Sequence, residues 1–211
     1  VYWLRERHDL FAIEVIGESH LAALRQQGRG MVFAGGHFGS FEALRVVGER
    51  HGIDTRMLMF PDNARKVTAA LTSINPALAN SVIALGRPDS VLRVRDHLQN
   101  GGSVGILADR MLGDDKSRDI PFLGDPAPFP VGPWRLAAML GAPVVFMAGC
   151  YLGGNRYQLV IEPIIDFAQV PAEKRASAMQ EAQDRFVELS EARCRQAPWN
   201  WFNFYDFWHA Q

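Results

Sequence analysis

His37 and Glu42 are the residues whose types and spacing most directly suggest chemistry. They stand five positions apart in Gly35-Gly36-His37-Phe38-Gly39-Ser40-Phe41-Glu42, at an expected strand-to-helix junction. Five helical steps turn about 140°, so the two cannot share a face of a regular helix. They meet only if His37 precedes the helix, and the glycines before it permit such a turn. A carboxylate then holds one ring nitrogen and leaves the other to take a proton, which is the work of a general base with an orienting acid. Amides at the helix start, around Phe38, Gly39 and Ser40, are candidates to steady developing negative charge. The competing reading is a helix-entry histidine and a solvated glutamate.

Other chemistries fit less well. Ser40 lies near His37 but lacks the G-x-S-x-G elbow of a serine nucleophile. A metal would need a third ligand and a different spacing, so no metal is expected. No glycine-rich nucleotide fingerprint occurs, and no cofactor is expected. A second candidate pair, Asp109-Arg110, follows an apolar run. Arg110 could grip a phosphate through its forked donors or pair with Asp109, Asp114 or Asp115. Arg87 is a further phosphate candidate or a surface arginine. Asn63 is expected to cap the helix beginning at Ala64 rather than to contact substrate.

Composition sets outer bounds. The chain has 211 residues, a formal net charge of -1, 48% hydrophobic and 21% charged residues. That suits one globular domain with a core and argues against a generic nucleic-acid binder. Cys150 and Cys194 form no disulfide framework, consistent with a reducing compartment. No apolar run reaches the length of a membrane span, and no signal peptide is visible. The chain opens at Val1 without Met, as a fragment or processed chain would.

The elements that must carry these residues alternate. Strands are expected over 11–16, 31–34, 56–60, 82–85, 104–108, 143–148 and 157–161. Helices are expected over 19–28 with Ser19 as cap, 41–50, 64–73, 90–100, 134–140 and 171–195. This pattern predicts an α/β fold: a central, mostly parallel mixed sheet flanked by helices in a single domain. In such sheets, sites form beyond the carboxyl ends of strands, which singles out the Gly35-Gly36-His37 and Asp109-Arg110 loops.

With these residues in view, the chain resembles the lysophospholipid acyltransferase superfamily through the H-x4-[DE] segment at His37 and Glu42. Within it, the sequence is similar to the bacterial lipid A biosynthesis (late) acyltransferases. Further matches are Gly105-Ile106-Leu107-Ala108-Asp109-Arg110 with Ile120-Pro121-Phe122-Leu123-Gly124, and Ala127-Pro128-Phe129-Pro130-Val131-Gly132-Pro133 followed by Gly141-Ala142-Pro143-Val144-Val145. The resemblance covers roughly residues 13–208 and implies a glycerol-3-phosphate acyltransferase-like fold over 1–211, without the family's N-terminal membrane anchor. It implies acyl transfer from a thioester, on acyl carrier protein or coenzyme A, to a hydroxyl of a lipid or glycolipid. His37 would be the general base and Glu42 its orienting acid. Phe38, Gly39, Ser40, Arg87, Asp109 and Arg110 would contact substrate. It further implies peripheral association with the cytoplasmic face of the bacterial inner membrane. A thioester hydrolase and a silent lipid-binding module are the alternatives.

The segment from Trp199 to Trp208 holds seven aromatic rings in ten residues. It is similar to a subgroup found with aryl-polyene pigment or glycosyltransferase-linked lipid pathways. Its alternation fits a terminal strand. The rings could cover the sheet edge, line an acyl channel or sit at a bilayer interface. Met57, Met59, Met111, Met139 and Met147 are read as core fillers, and the 173–195 stretch as a solvated helix.

Overall fold

The continuous apolar runs become the middle of one sheet because helices cover both of its faces. The computed structural model describes residues 8–40, 48, 51–111 and 116–209. Its strands are β1 (Ala12–Ile16), β2 (Val32–Gly35), β3 (Thr55–Met59), β4 (Val82–Ala84), β5 (Ser103–Leu107), β8 (Pro143–Tyr151) and β9 (Arg156–Asp166), ordered β1-β9-β8-β2-β5-β3-β4. β8, β2, β5, β3 and β4 run parallel; β9 is antiparallel to β8, and β1 runs with β9. The carboxyl ends of the parallel block therefore share one edge with the starts of β1 and β9. The α/β architecture with a mostly parallel mixed sheet is as expected.

The described helices are α1 (Glu18–Gln26), α2 (Pro61–Ile74), α3 (Ser90–Gln99), α4 (Gly132–Leu140) and α5 (Arg175–Gln196). None is long and apolar enough to cross a membrane. The helix expected over 41–50, and Glu42 with it, lies outside the described residues apart from Gly48. α2 begins at Pro61, which suits the first helical turn because it has no N–H to satisfy. Asn63 is thus inside the helix and is not its cap. Ser19 is likewise inside α1. Gly17 precedes the helix with φ 84°, and a Cβ there would lie 1.9 Å from the Ile161 carbonyl oxygen. The helix therefore starts two residues earlier than a Ser19 cap would place it. α5 is charged outside but buries Phe186, Val187 and Leu189 against the core.

Two features depart from the sequence reading. β6 (Ser117–Phe122) and β7 (Asp125–Pro130) form an antiparallel hairpin with Phe122 opposite Asp125. Its tight turn is Leu123-Gly124, both with positive φ. The buried Gln183 amide donates to the Phe129 and Pro130 carbonyls, fixing the hairpin to α5. The second departure is the aromatic segment. It makes a short 3-10 turn (Pro198–Asn200), a single bridge from Trp201 to Phe38, and then bends, not a strand. Trp201, Phe207 and Trp208 pack with Phe122 and Phe129, as edge-to-face and tilted rings prefer.

The loop entering β2 is tied to the end of β9 by a forked pair. Arg29 Nη1 and Nη2 donate to Asp166 Oδ2 and Oδ1 at 2.6 and 2.8 Å. The hydrogen bond from Arg29 is the main cause holding the Asp166 carboxyl below its ordinary range, against the opposing effect of burial. A carboxylate with a lowered folded pKa adds stability above the unfolded value near 3.9 and loses it as pH falls through the folded value. Arg29→Met is therefore expected to cost about 1 kcal/mol at pH 7, roughly 2–4 °C in Tm, with the deficit shrinking below about pH 4. Thermal melts at pH 7 and pH 3 check this; a deficit independent of pH would refute it.

Candidate active site

β2 and β5 are neighbours, with Gly35 opposite Leu107. Two residues beyond each partner stand His37 and Asp109, so register brings them to one point. His37 Nδ1 lies 2.9 Å from Asp109 Oδ1, and the His37 backbone N–H donates to Asp109 Oδ2 at 2.7 Å. Asp109 is 4% exposed, whereas the His37 side chain is 32% exposed. A carboxylate in this position accepts a hydrogen bond from Nδ1–H, which leaves the Nε2 lone pair as the basic position. Gly36 makes the approach possible: a Cβ there would lie 3.2 Å from the Asp109 carboxyl carbon. Asp109 is thus more than the substrate contact expected of it; its contact with His37 follows from the strand order.

The turn around His37 is pinned on all sides. Phe38 N–H donates to Gly36 O at 2.7 Å, Gly39 N–H to Asn200 O at 2.8 Å and Ser40 N–H to Gly149 O at 2.7 Å. The three amides expected to steady an oxyanion are thus engaged within the protein. Gly39 has φ 66°, and a Cβ would fall 1.8 Å from the Gly149 oxygen. The His37 carbonyl accepts from Phe202 N–H at 2.9 Å. Asn200 secures this strap: its Oδ1 accepts from Tyr151 N at 2.6 Å, and its Nδ2 donates to Tyr151 O at 3.2 Å. A buried asparagine thereby pairs with a strand end as another strand would. Nothing in the spacing of Asn200 along the sequence distinguishes it from a surface amide.

Arg110 donates from Nη2 to the Phe202 carbonyl, and its guanidinium sits 5.3 Å from the Tyr205 ring centroid. Asp114 and Asp115, two of its expected partners, lie outside the described residues. Arg87 is exposed, with Nε 3.5 Å from Asp89 Oδ1.

Two cavities meet at His37. The larger, about 630 Å³, runs from His37 and Arg110 between the sheet and the helices α2 and α4. Met57, Met59, Val67, Ile106 and Leu136 line it, and besides His37 its polar side chains are Asn63 and Arg110. Met57 and Met59 fill a small core cluster with Leu71 and Leu78, as expected, and also form cavity wall. The smaller, about 150 Å³, is lined by His37, Phe33, Leu107, Met147 and Phe202. An imidazole base at the mouth of an apolar chamber can deprotonate a hydroxyl beside a bound hydrocarbon chain. Cysteine chemistry does not compete. Both thiols are buried, and burial is the main cause raising their pKa values, Cys194 to about 12.

Residues 3–209 match the bacterial lipid A biosynthesis acyltransferase family. No curated protein matches the chain.

Proposed function

The chain belongs to the bacterial lipid A biosynthesis acyltransferase family, and from that premise we propose that it moves an acyl group from a thioester to a hydroxyl of a lipid or glycolipid. The observation that carries the reading is His37, with Nδ1 against Asp109, at the mouth of the large apolar cavity. Nε2 takes the proton of the acceptor hydroxyl as its oxygen attacks the thioester carbon. The tetrahedral oxyanion collapses and expels the thiolate, which takes the proton back from His37. The chemistry needs neither a metal nor a covalent enzyme intermediate.

Asp109 orients the base. Glu42, with Nδ1 already taken by Asp109, acts on the imidazolium through its charge and not through a ring nitrogen. Arg110, on the same cavity, uses one nitrogen on Phe202 and has further donors for a phosphate of donor or acceptor. Phe38 and Gly39 wall the small cavity beside His37, Ser40 continues their turn as a further substrate contact, and Arg87 is an outlying phosphate contact. The acyl chain occupies the methionine-lined chamber, where flexible thioethers suit a long or bulky hydrocarbon. The donor is an acyl carrier protein or coenzyme A thioester. Working at the cytoplasmic face of the inner membrane, the protein falls, on its aromatic segment, in the aryl-polyene or glycosyltransferase-associated subgroup.

The test is purified protein with a long-chain acyl thioester and a set of lipid alcohols, followed by mass spectrometry. Ester plus free thiol is the expected outcome. Free acid alone with every alcohol offered would make the protein a hydrolase. Stoichiometric lipid retention without turnover would make it a binding module. Either of the last two outcomes overturns the proposal.

A further inference from the structure

Large apolar side chains gather in the open along one edge of the sheet. Trp199 is 93% exposed and Phe204 89% exposed; Phe202, Tyr205, Tyr151 and Leu152 are exposed beside them. Topology explains the gathering. Tyr151 ends β8, which runs parallel to β2, so it leaves the sheet on the same edge as His37. Asn200 ties the aromatic strap to Tyr151 and, through Gly39, to the His37 turn. Phe204 stacks on Phe202 with centroids 6.5 Å apart and planes at 19°, and Phe202 walls the small cavity that His37 also lines. The Phe204–Phe202 stack is thus continuous with the site, and Trp199 is the residue before the Asn200 anchor.

We infer that this edge is a membrane-docking surface, in which Trp199 and Phe204 enter the interfacial layer of a phospholipid bilayer and set the His37 site against it. The inference rests on the lipid-acceptor reading above. Ring type supports a bilayer over another occupant. Tryptophan and tyrosine combine an apolar body with a polar tip and favour the headgroup boundary. Rings this exposed bury little within the folded chain, so their apolar area remains for a partner. An acceptor held in a membrane must reach Nε2 without crossing water, and a docked edge carrying the catalytic turn meets that need. The attraction is ring burial, so neutral vesicles suffice to reveal it.

The experiment compares the native chain with Trp199→Ser/Phe204→Ser in co-sedimentation with phosphatidylcholine vesicles. Loss of both rings is expected to reduce partitioning about tenfold or more. The melting temperature and the rate with a short-chain thioester and a water-soluble alcohol stay unchanged. Equal partitioning of the two proteins, including no binding by either, overturns the inference. So does a native dimer that the variant turns into monomer, because the rings then serve a second copy. If the native chain makes no ester with any alcohol while the variant still loses vesicle binding, the docking surface stands and the transferase reading falls.

Discussion

Asp109→Asn is expected to lower kcat by about 10³–10⁴-fold while leaving the fold in place. The carboxylate accepts two bonds, one from the His37 backbone N–H and one from Nδ1–H. An asparagine of the same shape can still accept the backbone bond with its oxygen. Its NH2 then faces Nδ1 and forces that nitrogen to accept. The ring proton moves to Nε2, the position that must be empty for the acceptor hydroxyl. The variant therefore carries an imidazole in the wrong tautomer, and His37→Ala is expected to lose no more than about tenfold beyond it. Asp109→Ala is a poorer probe, since it also orphans the His37 N–H at about 1–3 kcal/mol. Steady-state kinetics with thermal melts decide the matter. If Glu42→Gln abolishes turnover and Asp109→Asn does not, the role assigned to Asp109 is wrong.

Gly39→Ala is expected to unfold the site and destabilise the whole chain by about 3 kcal/mol or more, roughly 6–12 °C in Tm. Two effects add. A side chain at φ 66° costs about 1–2 kcal/mol by itself. The new Cβ would also lie 1.8 Å from the Gly149 carbonyl oxygen, a backbone atom that cannot rotate away. Relief requires the turn to leave β8, which breaks the Gly39–Asn200 and Ser40–Gly149 bonds. Gly28→Ala separates these effects. Gly28 has a similar φ of 65° but nothing within 4 Å of its Cβ position. It should show only the smaller conformational cost and normal turnover. Equal losses at the two glycines would mean that backbone strain alone, without the contact to β8, explains the effect.

The central strands were legible because their continuous apolar runs have no other stable use. The hairpin was not, because Pro121, Pro126, Pro128 and Pro130 argue against strands wherever a ladder needs its donors. Here they sit in a two-stranded ribbon. The two loops that carry the site could be chosen from the rule about strand ends. That they touch could not, because β2 and β5 are separated in sequence by two other strands and paired only in space. The aromatic segment misled for a different reason. Its rings alternate like a strand, yet Trp201 and Phe207 turn inward while Trp199 and Phe204 do not. Each was placed by a separate anchor, Asn200 on Tyr151 or Trp208 on the Phe122 carbonyl, and not by a shared pleat.

The strap across the His37 turn also has a meaning in time. Residues 37 and 109 leave the ribosome well before residues 200–202, which hold the Gly39 amide and the His37 carbonyl. A nascent chain can pair its imidazole with its carboxylate as soon as the middle strands associate, yet the Gly39 amide and the His37 carbonyl stay unfastened until the far end is synthesised. Competence for turnover is therefore reached late in translation, and a product truncated before Asn200 would carry the reacting groups without the frame that aims them.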